Sequence, residues 1–431
     1  MLSPYRVLDL TDEKGLLCGK LLGDLGADVI KVERPGGDAA RMIGPFYHDK
    51  VDPEKSLFWW AFNTSKRGIT LDIETASGQE VLKKLAKTTD FIIESSPPGY
   101  LDSLGLGYPA LERINPGIIM VSITPFGQTG PYKDYKAPDI VAWAMGGVMY
   151  QHGDVDGPPI RVSHHSQAYL HAAGQAAVGA MVALYHREMT GEGQHVDVSI
   201  QESVARCTTQ AHTAGWDMAK EIRRRGQLLL ISEIWPCKDG YVAFRYWGGP
   251  YAKRWNSPLV EWMDEEGMAG EFLKNFDWEE LNLATITEET QEERLERLRE
   301  TVERIVAPTR RFFMTHTKTE LLEGALKRRV MLYPVATAQN ILESVQLIAR
   351  KFWVELEHPE LGTTITYPGA FARTSETPPR VWRRAPLIGE HNKEVLEKEL
   401  DISKAESRAR NQAPSSGPRM ALRPSLRLRR R

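Results

Sequence analysis

Residues 1–200 alternate short apolar, β-prone segments with segments of helical periodicity, and this alternation limits the possible folds more than any other feature of the chain. Tyr5–Leu10 predicts a strand, Gly15–Gly26 a helix and Asp28–Glu33 a second strand, which together form a βαβ unit. Further strands are predicted over Arg67–Ile73, Phe91–Glu94, Gly117–Thr124 and His195–Ile200, and helices over Ser77–Lys87, Ala110–Asn115 and Gln167–His186. We therefore predict the α/β class, with a mostly parallel sheet covered by helices on both faces.

The second half of the chain has a different composition and periodicity, which indicates a second domain. A length of 431 residues already exceeds what one hydrophobic core usually organises. After about Arg225 charged helical segments dominate, above all Asp277–Arg329, and we predict a large domain over 1–225 followed by a smaller α-rich domain over 226–328. From 329 to 400 the chain regains proline, β-branched residues and short strands, and it ends in a charged helix at Asn392–Leu400.

Charge and composition argue against several classes of function. The net charge is −2, but residues 401–431 hold nine Lys or Arg against two Asp or Glu, so this tail carries +7 and the rest of the chain −9. The tail has no aromatic residues for base stacking, which argues against a nucleic-acid partner. Its Pro-, Ser- and Arg-rich composition predicts disorder, with a polyanion contact as the alternative.

Apolar runs and cysteines point to the environment of the chain. No apolar run reaches the roughly 18 residues that a membrane span needs, so we predict no membrane partner. Cys18, Cys207 and Cys237 lack both metal-ligand spacing and the even number of a disulfide framework. We therefore predict no metal site and a location in the reducing cytoplasm.

Two glycine-containing segments are candidates for phosphate binding. Leu22–Asp28 follows a predicted helix rather than a strand, so it does not fit the dinucleotide-binding fingerprint, which needs a strand-to-helix turn. Pro35-Gly36-Gly37-Asp38, followed by Arg41, comes directly after the second predicted strand, where ligands of open α/β sheets bind. This segment can hold a phosphate or form a simple tight turn, and its spacing leaves both interpretations open.

A series of short motifs resembles the family III CoA-transferases, a superfamily that includes formyl-CoA transferase, carnitine CoA-transferase and α-methylacyl-CoA racemase. Towards the N-terminus the similar segments are Val7–Thr11, Leu25–Glu33, Pro35–Asp38 with Arg41, and Asn63–Gly68. Further along they are Leu104–Tyr108, Phe126–Pro131, Thr190–Gln194, Lys238–Tyr241, His358–Gly362 and Ala385–Asn392. The resemblance covers residues 1 to about 400.

The resemblance implies a fold and a reaction. Proteins of this family form interlocked-ring dimers, in which each chain has a Rossmann-like large domain of N- and C-terminal parts plus a smaller domain. Residues 329–400 would then return to the large domain. In the reaction an Asp attacks the acyl-CoA carbonyl, the released CoA thiolate converts the mixed anhydride into an aspartyl-CoA thioester, and an acceptor acid finally takes the CoA. CoA and acyl-CoA are thus substrates, and no tightly bound cofactor is implied.

The position of the family's nucleophilic Asp holds a different residue in this sequence. In the resembling proteins this Asp opens the small-residue helix, fifteen residues before a leucine that matches Leu184, and the count leads to Tyr169. No Asp or Glu occurs from 158 to 186. A phenol with a reference pKa of about 10 is a poor substitute for a carboxylate with one of about 3.9. His165 and Asp139 are the alternative nucleophiles.

Seven residues match positions that contact CoA in the family. They are Lys14 and Gly15 after the first strand, the candidate phosphate partners Arg41, Lys66 and Arg67, Ser95, and Lys136 near the pantetheine arm. Ser95 belongs to Glu94–Gly99, which replaces a family E-N-F-R-P-G run and has lost its Asn and Arg. For the basic residues, an ordinary solvated charge is the alternative interpretation.

Three functions remain open on the sequence. The first is the nucleophile-lacking subunit of a heteromeric CoA-transferase such as succinyl-CoA:(R)-benzylsuccinate CoA-transferase. It would move CoA between an acyl-CoA such as succinyl-CoA and a carboxylic acid, for which an aromatic acid is one candidate, while a homologous partner subunit supplies the Asp. The second is a homodimeric transferase that uses His165 or Asp139. The third is a non-catalytic CoA-binding or assembly protein.

Overall fold

The computed structural model describes residues 1–153, 157–161, 163, 166–207, 231–279 and 291–402. The chain divides into two compact units. The first contains Met1–Val148, Ser163–Thr209 and Lys351–Arg431, and the second contains Met149–Val162 and Gln210–Arg350. Most of the basic tail, 403–431, and the candidate nucleophile His165 lie outside the described residues.

Six strands form the sheet of the first unit: β1 (Arg6–Leu10), β2 (Asp28–Glu33), β3 (Lys66–Thr70), β4 (Phe91–Glu94), β5 (Ile119–Thr124) and β6 (His195–Ser199). They lie in the order β3-β2-β1-β4-β5-β6, and every neighbouring pair is parallel. This is the strand order of a doubly wound Rossmann sheet, with its switch point between β1 and β4. The predicted α/β class is confirmed.

Helices cover both faces of this sheet. They are α1 (Leu16–Asp24), α2 (Leu57–Asn63), α3 (Ala76–Ala86), α4 (Tyr100–Ser103), α5 (Tyr108–Glu112), α6 (Asp139–Met145), α7 (Gln167–Thr190) and α8 (Ile200–Arg206). Val81 and Leu82 of α3 share a core with Leu8 of β1. On the opposite face α1 packs against α7, where buried alanines such as Ala176 and Ala180 permit a close approach. Successive side chains of a central strand point to opposite faces of the sheet, so they pack against different helical layers.

The second unit contains a small antiparallel sheet of β7 (Ile234–Cys237), β8 (Gly240–Phe244) and β9 (Leu332–Pro334). Its helices are α9 (Ala252–Glu265), α10 (Gly270–Asn275), α11 (Gln291–Thr315), α12 (Lys318–Arg328), α13 (Ala338–Leu342) and α14 (Val345–Ala349). Aromatic side chains, among them Trp235, Trp262 and Phe312, fill its core. The helical run predicted over Asp277–Arg329 is interrupted before α12, which begins with a capping box formed by Thr317 and Glu320.

The bounds of the second unit differ from the predicted domain bounds of 226 and 328. Residues 329–350 group with the second unit because β9 pairs with β8, with Leu332 opposite Phe244. The other boundary, Gln210, lies in a stretch that the structure does not describe. A short strand late in the sequence thus extends the smaller unit beyond its helices.

The C-terminal segment completes the first unit. β10 (Trp353–His358) and β11 (Thr363–Pro368) form an antiparallel pair, and a π-helical segment follows at Lys393–Glu399. This segment places Val395 and Leu396 in the core beside α3. The large unit is therefore Rossmann-like and built from N- and C-terminal parts, as the family resemblance implies. No helix in the described ranges is long and apolar enough to cross a bilayer.

Candidate functional site

The loops that leave the carboxyl ends of β1 to β4 enclose a pocket of about 620 Å³, which we call the polar pocket. Its charged and hydroxyl side chains include Asp12, Lys14, Arg34, Asp38, Asp72, Glu74 and Ser95. The pocket lies at the switch point of the sheet, where ligands of open α/β folds bind. Two of the predicted CoA contacts, Lys14 and Ser95, are therefore on its wall.

Asp12 fixes the loop after β1 to the end of β4. Its backbone N–H donates to Ser95 Oγ at 2.9 Å, and Ser95 Oγ donates to Asp12 Oδ1 at 2.7 Å. Lys14 Nζ forms an ion pair with the same carboxylate. Gly15 comes next. A Cβ at this position would lie 2.5 Å from Thr11 Cγ2, so the close approach of Gly15 to Thr11 requires glycine. Lys14, Gly15 and Ser95 thus belong to one loop system, and their contact with CoA stays a prediction.

The glycine pair after β2 forms a tight turn. Gly36 and Gly37 have φ angles of +90° and +95°, which favour glycine. The N–H of Gly37 donates to Arg34 O at 3.0 Å, and the N–H of Asp38 donates to Glu33 Oε2 at 2.9 Å. Both donors are already used within the turn, so the geometry favours the turn interpretation over a phosphate cradle.

Arg41 is 1% exposed and lies inside an ion-pair network. Its guanidinium donates to both carboxylate oxygens of Glu33, at 2.6 and 2.8 Å, and to Glu54 Oε2 at 2.7 Å. It also donates to Pro386 O at 2.9 Å and stacks 3.9 Å from the centroid of the Trp59 ring. Two carboxylates already neutralise this side chain, so its predicted phosphate contact stays a prediction that the geometry does not favour.

Lys66 and Arg67 begin β3, whereas the polar pocket lies beyond the end of that strand. Lys66 Nζ is fully buried and uses its three donors on Asp9 Oδ2 at 2.7 Å, Leu16 O at 2.8 Å and Asn63 Oδ1 at 2.9 Å. Arg67 is held by three carboxylates, those of Asp28, Glu394 and Glu399. The two cations connect elements of the first unit, and the geometry does not favour their predicted phosphate contacts either.

A second cavity, of about 340 Å³, lies beside the first turn of α7, and we call it the apolar cavity. Its hydrocarbon wall consists mainly of Leu17, Leu57, Phe58, Phe62, Leu170 and Ala173. Its polar side chains include Glu13, Lys14, Gln167 and Tyr169. Because Lys14 also lines the polar pocket, this residue borders both spaces. Such a cavity suits a ligand with an apolar body and a charged end.

Tyr169 stands in the first turn of α7 and is 6% exposed. Its hydroxyl donates to Ala137 O at a long 3.4 Å. Burial raises the pKa of this phenol above its usual value of 10.0, and the nearby carboxylates of Glu13 and Asp139 raise it further. The phenol is therefore neutral at physiological pH and is not a nucleophile comparable to a carboxylate.

The remaining candidates lie near the beginning of α7. Asp139 Oδ1 accepts the backbone N–H of Ala168 at 2.8 Å and that of Tyr169 at 3.4 Å, so this side chain anchors the first turn of the helix. Lys136 is exposed and directly precedes Ala137, whose carbonyl accepts the Tyr169 hydroxyl. A nucleophilic role for Asp139 or His165 and a CoA contact of Lys136 stay predictions.

The structure adds two residues that the sequence analysis did not single out. Arg34 lines the polar pocket, and its Nε donates to Gly37 O at 3.4 Å. Glu13 lines the apolar cavity close enough to Tyr169 to affect the pKa of its phenol. Arg34 could have been found as the first cation after the second strand. Glu13 has no comparable signal, because its position next to α7 depends on how α1 and α7 pack.

Comparison with known proteins identifies the family. The model of CoA-transferase family III matches residues 2–392. The chain belongs to this family. CoA-transferases use CoA thioesters as substrates.

Individual relatives cover nearly the whole chain. The chain is 37% identical to the succinyl-CoA:(R)-benzylsuccinate CoA-transferase subunit BbsE of Thauera aromatica, over 91% of this chain and 93% of that protein. It is 30% identical to the succinyl-CoA–L-malate CoA-transferase beta subunit of Chloroflexus aurantiacus, over 93% and 94%. Among solved structures, a CAIB/BAIF family protein from Brucella suis matches with a TM-score of 0.78 and 27% identity, over 92% and 98%. The family assignment thus rests on both sequence and fold.

Proposed function

We propose that this family III chain is a subunit of an enzyme that moves CoA from an acyl-CoA such as succinyl-CoA to a carboxylic acid, and that a homologous partner subunit carries the nucleophilic Asp. The observation that carries this proposal is the buried, neutral Tyr169 at the beginning of α7, where the family resemblance places the Asp. The names of the relatives support a succinyl-CoA donor, and two of those names denote subunits.

In this proposal the two cavities bind different substrates, CoA and the acid. The polar pocket would take the nucleotide part of CoA, with Arg34 and Lys14 as the cations for its phosphates. The apolar cavity would take the hydrocarbon part of the acid, and its leucines and phenylalanines support an apolar or aromatic body. The partner's Asp would accept the acyl group, while this chain would complete the fold and shape the site. No tightly bound cofactor is needed.

An exposed ridge on α7 supports a partner subunit. Val178, Val182, Tyr185 and Met189 follow one another at helical spacing, and each is between 64% and 71% exposed. Apolar side chains at this spacing form one continuous face, which is typical of an interface. We propose that this ridge contacts the partner subunit in an interlocked dimer, and that the complex works in the reducing cytoplasm.

The partner requirement can be tested by expressing the chain alone and together with a homologous subunit that keeps the helix Asp. We expect the isolated chain to transfer CoA from succinyl-CoA at least about 1000-fold more slowly than the complex, since loss of a covalent nucleophile has effects of that order. The measurement is the rate of acyl-CoA formation, followed by chromatography. Full activity of the isolated chain would contradict the proposal.

Two variants of the complex serve as controls. Replacing the partner's nucleophilic Asp by Asn is expected to abolish transfer while the complex still assembles. Val182→Glu places a charge on the exposed ridge of α7 and is expected to prevent co-purification while the single chain stays folded. If the Val182→Glu chain assembled with the partner subunit in unchanged yield, the ridge would not be part of the interface.

CoA binding can be assigned to the polar pocket by comparing two arginines. Arg34→Met is expected to weaken CoA binding about 10-fold and to leave stability unchanged, because within the described residues the only hydrogen bond of this exposed side chain goes to the backbone carbonyl of Gly37. Arg41→Met is expected to destabilise the fold by about 3–5 kcal/mol, because Glu33 would be left buried without its cation. Calorimetric titration with CoA and urea denaturation measure the two effects. Weaker CoA binding by Arg41→Met together with unchanged CoA binding by Arg34→Met would instead indicate that the phosphates bind at Arg41.

A further inference from the structure

Three polar side chains form a hydrogen-bonded chain across the neighbouring strands β4, β5 and β6. Glu94 on β4 lies opposite Ser122 on β5, and the Ser122 hydroxyl donates to the Glu94 carboxylate. The oxygen of this hydroxyl lies 2.8 Å from His195 Nε2 on β6. Glu94 and Ser122 are buried, whereas His195 is exposed on the edge strand of the sheet. The three side chains therefore connect a buried carboxylate to solvent.

The direction of the hydrogen bonds follows from the charge of Glu94. An ionised carboxylate can only accept, so Ser122 donates its single proton to Glu94. Ser122 Oγ then has to accept from His195, which makes the neutral imidazole the Nε2–H tautomer. Nδ1 carries no proton in this tautomer, and no described residue hydrogen-bonds to it. A proton from solvent can therefore add at Nδ1.

Glu94 lies behind the wall of the polar pocket. Its Oε2 accepts the backbone N–H of Ser96 at 2.6 Å, and Ser96 lines the pocket. Burial raises the pKa of the Glu94 carboxyl above its usual value of 4.5, and the charge of Asp12, which also lines the pocket, adds to this effect. Hydrogen bonds from Ser122 and Ser96 act in the opposite direction but do not outweigh burial. Further negative charge in the pocket would raise this pKa again, because like charges disfavour ionisation.

The surroundings of His195 also disfavour a charge. Burial of part of its ring lowers the pKa of the imidazole below the usual 6.5, although Asp197 and Asp102 act in the opposite direction. Tyr108 stacks on the ring with 5.6 Å between the centroids. The titratable groups around these two rings are Asp102 of α4, Glu112 of α5, Glu192 after α7 and Asp197 of β6. A proton that adds at Nδ1 is therefore passed on along the chain.

We propose that Glu94, Ser122 and His195 form a proton relay, by which the carboxylate behind the polar pocket takes up a proton from solvent when a ligand with phosphate groups binds there. A proton adds at Nδ1 of the imidazole, Nε2 gives its proton to the Ser122 hydroxyl, and this hydroxyl gives its own proton to the carboxylate. The imidazole ends as the neutral Nδ1–H tautomer, and the carboxyl group is neutral. The relay rests on the proposed function only in taking CoA as the ligand.

The tautomer of His195 tests the relay in the full-length chain without a ligand. We expect NMR of the isotopically labelled imidazole nitrogens to show Nε2–H at about pH 8 and a change to Nδ1–H as the pH falls through the protonation of Glu94. Glu94→Gln removes the proton acceptor and is expected to abolish this change. Ser122→Ala interrupts the chain and is expected to abolish it too, which keeps the test available if Glu94→Gln fails to fold.

Calorimetric titration with CoA, in buffers of different ionisation enthalpy, measures the protons that the chain takes up on binding. Near the middle of the tautomer change we expect the wild-type chain to take up about half a proton per CoA more than Glu94→Gln does. This difference excludes protons that CoA itself binds or releases. Ser77→Ala, on the exposed first turn of α3, is the control for Ser122→Ala and is expected to keep both the tautomer change and the proton uptake.

Two results would overturn the relay: a tautomer that does not change with pH in the wild-type chain, and a change that persists in Glu94→Gln. Equal proton uptake by the wild-type chain and by Glu94→Gln would overturn its coupling to the pocket. Absence of CoA binding at every pH would contradict the proposed function instead. The tautomer is measured on the free chain, so it decides the relay by itself.

Discussion

Tyr169→Asp is expected to give the isolated chain the covalent step that the proposed function assigns to the partner subunit. A carboxylate at this position is ionised at neutral pH, whereas the phenol is buried with a raised pKa. On addition of succinyl-CoA the new carboxylate would attack the thioester carbonyl, the C–S bond would break, and the CoA thiolate would then displace succinate to leave a thioester on the protein. We expect mass spectrometry to detect this CoA adduct on the first turn of α7.

Tyr169→Asn is the matched control because it loses the same aromatic packing and provides no nucleophile. Both variants empty part of a buried site, so both are expected to lose about 3 kcal/mol of stability or more. We expect turnover of Tyr169→Asp to exceed that of Tyr169→Asn by at least about 100-fold, which is well below what nucleophile removal costs in other covalent enzymes. A folded Tyr169→Asp chain without adduct or turnover would show that more than the Asp is missing.

Asp9→Asn is expected to have the largest effect on stability. Asp9 is completely buried at the end of β1, accepts a hydrogen bond from Lys66 Nζ at 2.7 Å, and lies 3.8 Å from Lys31 Nζ. An amide has the same shape but no charge, so buried Lys66 would lose its carboxylate and buried Lys31 would keep only that of Asp38, at 3.7 Å. Loss of one partner from a buried ion pair typically costs about 3–5 kcal/mol. Urea denaturation at pH 7 measures this difference.

The matched control is Asp52→Asn, which breaks the partly exposed pair with Lys55 and is expected to cost less than about 1 kcal/mol. The acid limb of the stability curve gives a second readout. Burial alone would raise the pKa of Asp9, but Lys66 and Lys31 outweigh it and hold this pKa below the usual 3.8. The stabilisation is therefore fully present above pH 3.8 and is lost as the pH falls through the native pKa. A difference that disappeared already near pH 6 would contradict this assignment.

Most of the large unit could be predicted from local patterns. The strands predicted at Asp28–Glu33 and Phe91–Glu94 coincide with β2 and β4, because an apolar run between turn-forming residues depends on neighbours in the sequence. The interval from 329 to 350 was predicted to return to the large domain, but it groups with the smaller unit, since β9 pairs with β8 and no local pattern encodes that pairing. Lys14 and Ser95 were predicted from the family resemblance, and both line the polar pocket because each follows a strand whose carboxyl end meets it; their contact with CoA stays a prediction.

The sequence by itself determined the fold class, the family and the phenol at position 169, because each depends on the order of residues along the chain. Only the tertiary structure decided which charges are available to a ligand. Arg41 and Lys66 look like any basic residue in the sequence, but folding brings carboxylates against them and removes them from solvent. Glu13 looks like a surface charge, and the packing of α1 against α7 places it on the wall of a mainly apolar cavity. The physical reason is that the availability of a charge depends on burial and on partners distant in the sequence, which no local pattern encodes.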